Sequence, residues 1–139
     1  VQLPYIYISH AGDSRAYLAR ENQLTQLTQD DSFVAELVAA GVISNDEAKN
    51  HPYSPIVTQA VGQEQPLEPT FTELTVAPND WILMCSDGLT GMVDEETILA
   101  HLQEANGHPA KAVETLTQAA NEAGGMDNIS VVAICVSPD

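Results

Sequence analysis

Trp81-Ile-Leu-Met-Cys-Ser-Asp-Gly-Leu-Thr-Gly91 is the stretch on which the reading of this chain turns. An unbroken apolar run from Trp81 to Cys85 stops at Ser86-Asp87-Gly88. A short apolar run bounded by turn residues predicts a strand buried on both faces. A carboxylate placed where such a strand ends is held on rigid backbone, and a glycine beside it lets backbone or ligand approach closely. That arrangement suits a metal ligand. The plainer reading is a strand ending in an Asp-Gly turn.

Upstream, residues 70–76 alternate apolar and polar, and Ala77-Pro-Asn-Asp80 carries turn chemistry with Pro78 at the second position. These features predict a hairpin of 70–76 with 81–85. Downstream, Asp94 is placed to cap a helix, with Glu95 and Glu96 in the favourable first turn and Ile98, Leu99 and Leu102 on one face. Pro109 opens a second helix to about Ala123 with a stripe of Val113, Leu116, Ala119 and Ala120, and Gly124-Gly125 stop it. Met126-Asp-Asn128 then leads into a final strand pattern, Ile129-Ser-Val-Val-Ala-Ile-Cys-Val136.

The chain before this stretch starts with three strand patterns, at 5–8, 15–20 and 23–28, which predict an antiparallel meander with Asp13 at its first junction. Asp30-Asp31-Ser32 offers caps for a helix ended by Gly41, and Ser44-Asn-Asp-Glu47 has the spacing of a capping box. Residues 56–61 are ambiguous between helix and strand, and 63–69 read as loop. Strands and helices fall in blocks rather than alternating, which favours an α+β layered fold over a doubly wound one.

With 139 residues the chain is one domain or part of one. Hydrophobic residues make up 44% and charged residues 17%, a globular balance. Twenty acidic against four basic side chains give a net charge of -16, leaving little to neutralise phosphates on nucleic acid or on an anionic membrane surface. Cations and basic partners remain compatible with it. No apolar run is long enough to span a bilayer. The opening Val1-Gln2-Leu3-Pro4 shows no basic leader and no Met, which predicts no signal peptide and a truncated start. Cys85 and Cys135 lie in apolar strand patterns without zinc spacing, so free buried thiols in a reducing cytoplasm are expected.

Asp13, Asp87 and Asp127 share one setting, a strand end beside a glycine or a glycine pair. Loop carboxylates fixed by strand ends suit hard divalent cations, and no histidine completes a zinc-like set, so Mg²⁺ or Mn²⁺ is expected. His10 is expected to be packed or hydrogen-bonded, and His51, His101 and His108 to lie on the surface. Ser14 and Ser86 sit in no nucleophile elbow.

Three motifs, His10-Ala-Gly-Asp-Ser-Arg15, Cys85-Ser-Asp-Gly-Leu-Thr90 and Gly124-Gly-Met-Asp-Asn-Ile129, in this order and at these intervals, resemble the C-terminal motifs of the metal-dependent protein serine/threonine phosphatases of the PPM, or type 2C, family in its bacterial form. The resemblance runs from Tyr5 to Val136. It implies two stacked antiparallel β-sheets flanked by helices, here an incomplete αββα sandwich, and hydrolysis of phosphoserine and phosphothreonine in phosphorylated proteins by a metal-bridging water. It implies that Asp87 and Asp127 ligate a two-metal centre of Mg²⁺ or Mn²⁺, that Asp13 with Asp87 holds a weaker third ion, and that Asn128 and Gly88 support the ligands. It also implies that residues 1–139 are the C-terminal part of a single phosphatase catalytic domain, with a flap insertion at about 31–62.

The family's N-terminal half carries a phosphate-binding arginine, further acidic ligands including a second Asp-Gly, and a proposed histidine acid. None of those motifs is in this chain, and Arg15 and Arg20 do not replace them. Weak Mn²⁺ binding and little activity are therefore expected of the chain alone, with no catalytic residue beyond the metal ligands. Exposed apolar surface awaiting a partner segment is expected as well. Two other classes fit the same motifs: a non-catalytic regulatory or pseudo-phosphatase module, and a different metal-dependent hydrolase with a convergent carboxylate site.

Overall fold

The computed structural model describes residues 4–137. Val1 to Leu3, on which the reading of the chain's start rests, fall outside them, as do 138 and 139. The chain forms β1 (Tyr5–His10), β2 (Arg15–Arg20), β3 (Gln23–Gln26), α1 (Phe33–Ala39), α2 (Asn45–Lys49), β4 (Thr70–Thr75), β5 (Trp81–Cys85), α3 (Asp87–Thr90), α4 (Glu95–Glu104), α5 (Pro109–Glu122) and β6 (Val131–Cys135). Two antiparallel sheets result: a four-stranded sheet in the order β3-β2-β5-β6 and a two-stranded ribbon of β1 with β4. This is the layered α+β arrangement the blocks of strand and helix indicated.

The apolar run of β5 occupies the middle of the larger sheet. Tyr17 opposes Leu83 and Ala19 opposes Trp81 on one side, while Leu83 opposes Ala133 and Trp81 opposes Cys135 on the other. Because successive side chains point to opposite faces, Tyr17, Ala19, Trp81, Leu83 and Cys85 share one face. Helices α4 and α5 cover it with Ile98, Leu102, Ala112, Leu116 and Ala120, all buried. The buried stripe of α5 is centred on Ala112, Leu116 and Ala120, with Ala119 packed at its edge. On the opposite face Ile82 packs with Val76 and Val136 against Ile6, Leu18, Leu27 and Leu74.

Two expected pairings are not formed. Only β2 and β3 of the meander pair with each other, and β1 pairs with β4 instead, Tyr5 opposite Thr75 and His10 opposite Thr70. The hairpin of β4 with β5 is absent although its turn is present: the Asp80 amide donates to the Ala77 carbonyl at 3.1 Å, and Asn79 takes φ +70°. The reason lies at Asp80, which is buried. Its carboxylate accepts from the Ala77 amide at 2.7 Å and pairs with Arg20 of β2 at 2.6 Å. The turn is thereby tied to the larger sheet and carries the chain from one layer to the other. The Ala11-Gly-Asp-Ser14 connection between β1 and β2 also passes from one sheet to the other.

Caps behave as their chemistry suggests, with one correction. Ser44 and Glu47 form the capping box of α2, and the Asp94 carboxylate caps α4 at the Thr97 amide, 2.8 Å away. Helix α1, however, is capped by Ser32 and not by Asp30 or Asp31. Those two carboxylates are engaged elsewhere, Asp30 by the charged Arg15 guanidinium and Asp31 by the Gly12 amide. The ambiguous 56–61 segment is neither helix nor strand; it contributes a single β-bridge, Val57 with Ser32. Cys85 is buried, Cys135 half-buried, and both thiols are free. No helix among the described residues is long and apolar enough to cross a membrane.

Candidate metal centre

Strand pairing places the three aspartates. Cys85 stands opposite Arg15 on one side and opposite Val131 on the other. The antiparallel register therefore brings the start of β2, the end of β5 and the start of β6 to the same rim of the sheet. Asp13 precedes β2, Asp87 follows β5 at the first position of α3, and Asp127 precedes β6. Three carboxylates far apart in the chain thus share one edge, without being designed into one helix or loop.

Each loop is held differently. The Asp13 loop turns at Gly12, whose φ of +109° favours glycine, and it is fastened to the segment after β3. The Gly12 amide donates to the Asp31 carboxylate at 2.9 Å, the Asp31 amide to the Gly12 carbonyl at 2.8 Å, and the Thr58 amide to the Asp31 carbonyl at 2.8 Å. Beneath it, Arg15 grips Asp30 with two guanidinium nitrogens, Nε to Oδ1 at 2.9 Å and Nη2 to Oδ2 at 2.7 Å. The same guanidinium donates from Nη1 to the buried Tyr17 hydroxyl at 3.1 Å. Burial pushes that phenol up to about 12 and the Cys85 thiol up to about 11, so both are neutral near pH 7.

Burial also pushes the Asp13 carboxyl above the ordinary carboxylate range, and the Asp87 charge adds to the rise. Asp13 and Asp87 are thus close enough to repel, which a cation between them would relieve. Asp87 and Asp127 are both exposed, and the carboxylate of Asp127 accepts from the Asn128 amide at 2.6 Å. Their loops touch through backbone: a Cβ at Gly88 would lie 2.2 Å from the Asn128 carbonyl oxygen. Glycine is therefore required at 88 by the neighbouring loop and not by its own φ.

The donor set, carboxylate oxygens with no thiolate or imidazole among them, fits a hard divalent cation. It is also incomplete. Among the described residues no three His, Cys, Asp or Glu side chains converge closely enough to hold a metal ion. The Asp87 charge reaches Asp13 electrostatically and the Asp87 loop packs against the Asp127 loop, but among the described residues no cage is closed.

Two features escaped sequence reasoning. Ser86 bridges the two acidic loops, and its only sequence signal is a hydroxyl beside Asp-Gly, which many turns share. Asp31, expected as a helix cap, anchors the Asp13 loop instead. His10 is packed, as expected, but neither ring nitrogen has a hydrogen-bond partner among the described residues. It lines an open cleft of about 360 Å³ between the two sheets, with Ile8, Arg15, Met84, Ser86 and Val132. His51 and His101 are half-buried and His108 is exposed.

The protein phosphatase PhpP of Streptococcus pneumoniae is 38% identical over 131 residues, which cover 94% of this chain and 53% of that protein. The relatives that this chain resembles are bacterial PPM-type serine/threonine phosphatases. Solved structures agree: the serine/threonine phosphatase of Streptococcus agalactiae superposes with a TM-score of 0.91 at 36% identity, covering 99% of this chain and 56% of the other. The catalytic domain of the phosphatase PstP in complex with two manganese ions does so with a TM-score of 0.83 at 38% identity, covering 99% of this chain and 56% of that one. No family model matches the chain. It spans about half the length of PhpP and of both structures. The PPM fold and this kinship are thus the same ones the three motifs implied.

Proposed function

We propose that this chain is the C-terminal part of one catalytic domain of a metal-dependent phosphatase that removes phosphate from phosphoserine and phosphothreonine in proteins. Asp87 and Asp127 are the ligands this part gives to a two-metal Mg²⁺ or Mn²⁺ centre. Asp13, with Asp87, gives a weaker outer site. The observation that carries the reading is the register Arg15–Cys85–Val131, which sets three acidic loops on one rim. A divalent pair there supplies an acidified water and a clamp on phosphoryl oxygens. The chain's own residues contribute placement and charge: Asn128 and Gly88 support the ligand loops, and Arg15 with Asp30 braces the loop bearing Asp13. Residues 31–62 serve as a flap beside the site, rooted by Asp31 at the Asp13 loop.

A complementary half supplies the remaining ligands and covers the apolar surface left open here. Support comes from the incomplete ligand set, from the half-length match to relatives, and from exposed Tyr7, Phe71, Val132 and Ile134. The test is Mn²⁺-dependent hydrolysis of a phosphothreonine peptide and of p-nitrophenyl phosphate. The chain alone shows little turnover, and the chain joined to its complementary half shows turnover that Asp87→Asn abolishes. Robust Mn²⁺-dependent activity of the chain alone contradicts the division of ligands; unchanged turnover in Asp87→Asn contradicts its ligand role. The open cage also suits a non-catalytic interaction module, which predicts binding of a phosphoprotein without turnover in the joined protein.

A further inference from the structure

We propose that Ser86 is a positioning residue: it locks the Asp87 and Asp127 loops into one unit, so that both carboxylates are presented to a divalent cation at a fixed spacing. The proposal rests on the metal-centre reading above. The β5–β6 ladder ends at Cys85 opposite Val131, where two strands leading into loops ordinarily part. Ser86 carries the connection further. Its amide donates to the Ser130 carbonyl at 3.0 Å, its Oγ accepts from the Ser130 amide at 3.0 Å, and its hydroxyl donates to the Asn128 carbonyl at 3.1 Å. One residue thereby makes three bonds to the loop bearing Asp127, while its own peptide bond leads directly into Asp87.

What the hydroxyl forgoes is as informative. Ser86 stands at the N-cap of α3, where a serine ordinarily accepts from a backbone amide two or three residues on. It makes no such bond. Its hydrogen-bonding capacity goes across to the other acidic loop, where Ser130 is exposed and water would otherwise serve its amide. The fit of Gly88 against the Asn128 carbonyl acts in the same direction: the clamp pulls the loops together and the glycine allows them to meet. Groups that orient metal ligands without touching the ion commonly change affinity by about 10–100-fold.

The experiment is NMR on the full chain as wild type, Ser86→Ala, Ser86→Thr and Asp87→Asn. Without metal, the Ser130 amide of the wild type exchanges more slowly than an open amide, and Ser86→Ala releases it. On titration with Mn²⁺, paramagnetic broadening in the wild type appears together at Asp87–Gly88 and at Asp127–Asn128. Ser86→Ala requires about tenfold more Mn²⁺, and Ser86→Thr, which keeps the hydroxyl, stays near wild type. Equal Mn²⁺ responses of wild type and Ser86→Ala overturn the positioning role while leaving the metal centre in place, provided Asp87→Asn loses the broadening. Equal losses in Ser86→Ala and Ser86→Thr overturn it too. Broadening that persists in Asp87→Asn, or a protected Ser130 amide in a wild type that shows no loop broadening even when joined to its complementary half, removes the metal-centre reading and the positioning role with it. Should Ser86→Ala fail to fold, an open Ser130 amide in the wild type overturns the clamp.

Discussion

The two faces of the four-stranded sheet are made from the same strands and meet different fates. The face carrying Tyr17, Trp81, Leu83 and Cys85 is roofed by α4 and α5, and its core contains thirteen buried residues. The face carrying Leu18 and Ile82 meets only the β1–β4 ribbon, and its core contains three. Beyond the ribbon, Met84, Val132 and Ile134 of this second face stay exposed. A strand as uniformly apolar as β5 is written for cover on both sides. The chain supplies that cover fully on one side and partly on the other, and the cleft holding His10 opens where it stops.

The largest expected effect tests this difference directly. Leu116→Ala in the helix-roofed core costs about 2–5 kcal/mol, because the surrounding helices and sheet cannot collapse into the gap. Met84→Ala on the partly open face costs less than about 1 kcal/mol, since its side chain is already in contact with solvent. Urea unfolding of both variants measures the contrast. Equal costs would mean that the two faces are not differently packed.

An intermediate effect concerns the strap between the layers. Arg20 and the amide of Ala77 hold the Asp80 carboxyl below the ordinary carboxylate range, the guanidinium being the larger cause. A depressed value means that the unfolded chain binds a proton more readily than the folded one. The stability from this group is therefore present above the ordinary aspartate pKa of about 3.9 and is lost as pH falls through the lower folded value. Asp80→Asn is expected to cost roughly 1–3 kcal/mol near pH 7, from the loss of charged hydrogen bonds. The gap to wild type narrows as pH drops below about 4. Thermal melts across that range measure it; a gap independent of pH contradicts the account.

Much of this architecture was legible in the sequence, and the illegible parts share a cause. Element identity followed from periodicity and caps: the apolar run of β5, the capping box at Ser44, the stop at Gly124-Gly125. Pairing did not, because Ala77-Pro-Asn-Asp80 reads the same whether the chain folds back in one sheet or crosses to another. What decides is the part-buried bond that Arg20 donates to Asp80 from 60 residues earlier in the chain. The site divides the same way. That Asp13, Asp87 and Asp127 lie at strand ends was legible, since turn residues and glycines bound the strand patterns there. Ser86 was not, because its hydroxyl could equally have capped α3, and its choice depends on a loop more than 40 residues away. Asp31 likewise resembled a cap until a glycine amide from another layer claimed it.

The smallest expected effect on stability is the most discriminating for the open face. Tyr7 and Phe71 lie on the outer surface of the ribbon, 72% and 77% exposed, and together form apolar surface that the described residues do not cover. Replacing both with serine removes few contacts made within the chain, so stability changes by no more than about 0.5 kcal/mol at each site. If a complementary half of the domain seats on that surface, the same double variant weakens its association, because the lost burial is then at the interface. Unfolding measures the first quantity, and sedimentation of the chain mixed with the complementary half measures the second. Unchanged stability with weakened association identifies the ribbon's outer face as an unfinished layer. Unchanged stability with unchanged association means that the missing cover lies on the Met84–Val132–Ile134 side alone, and the asymmetry between the two sheet faces then accounts for all of it.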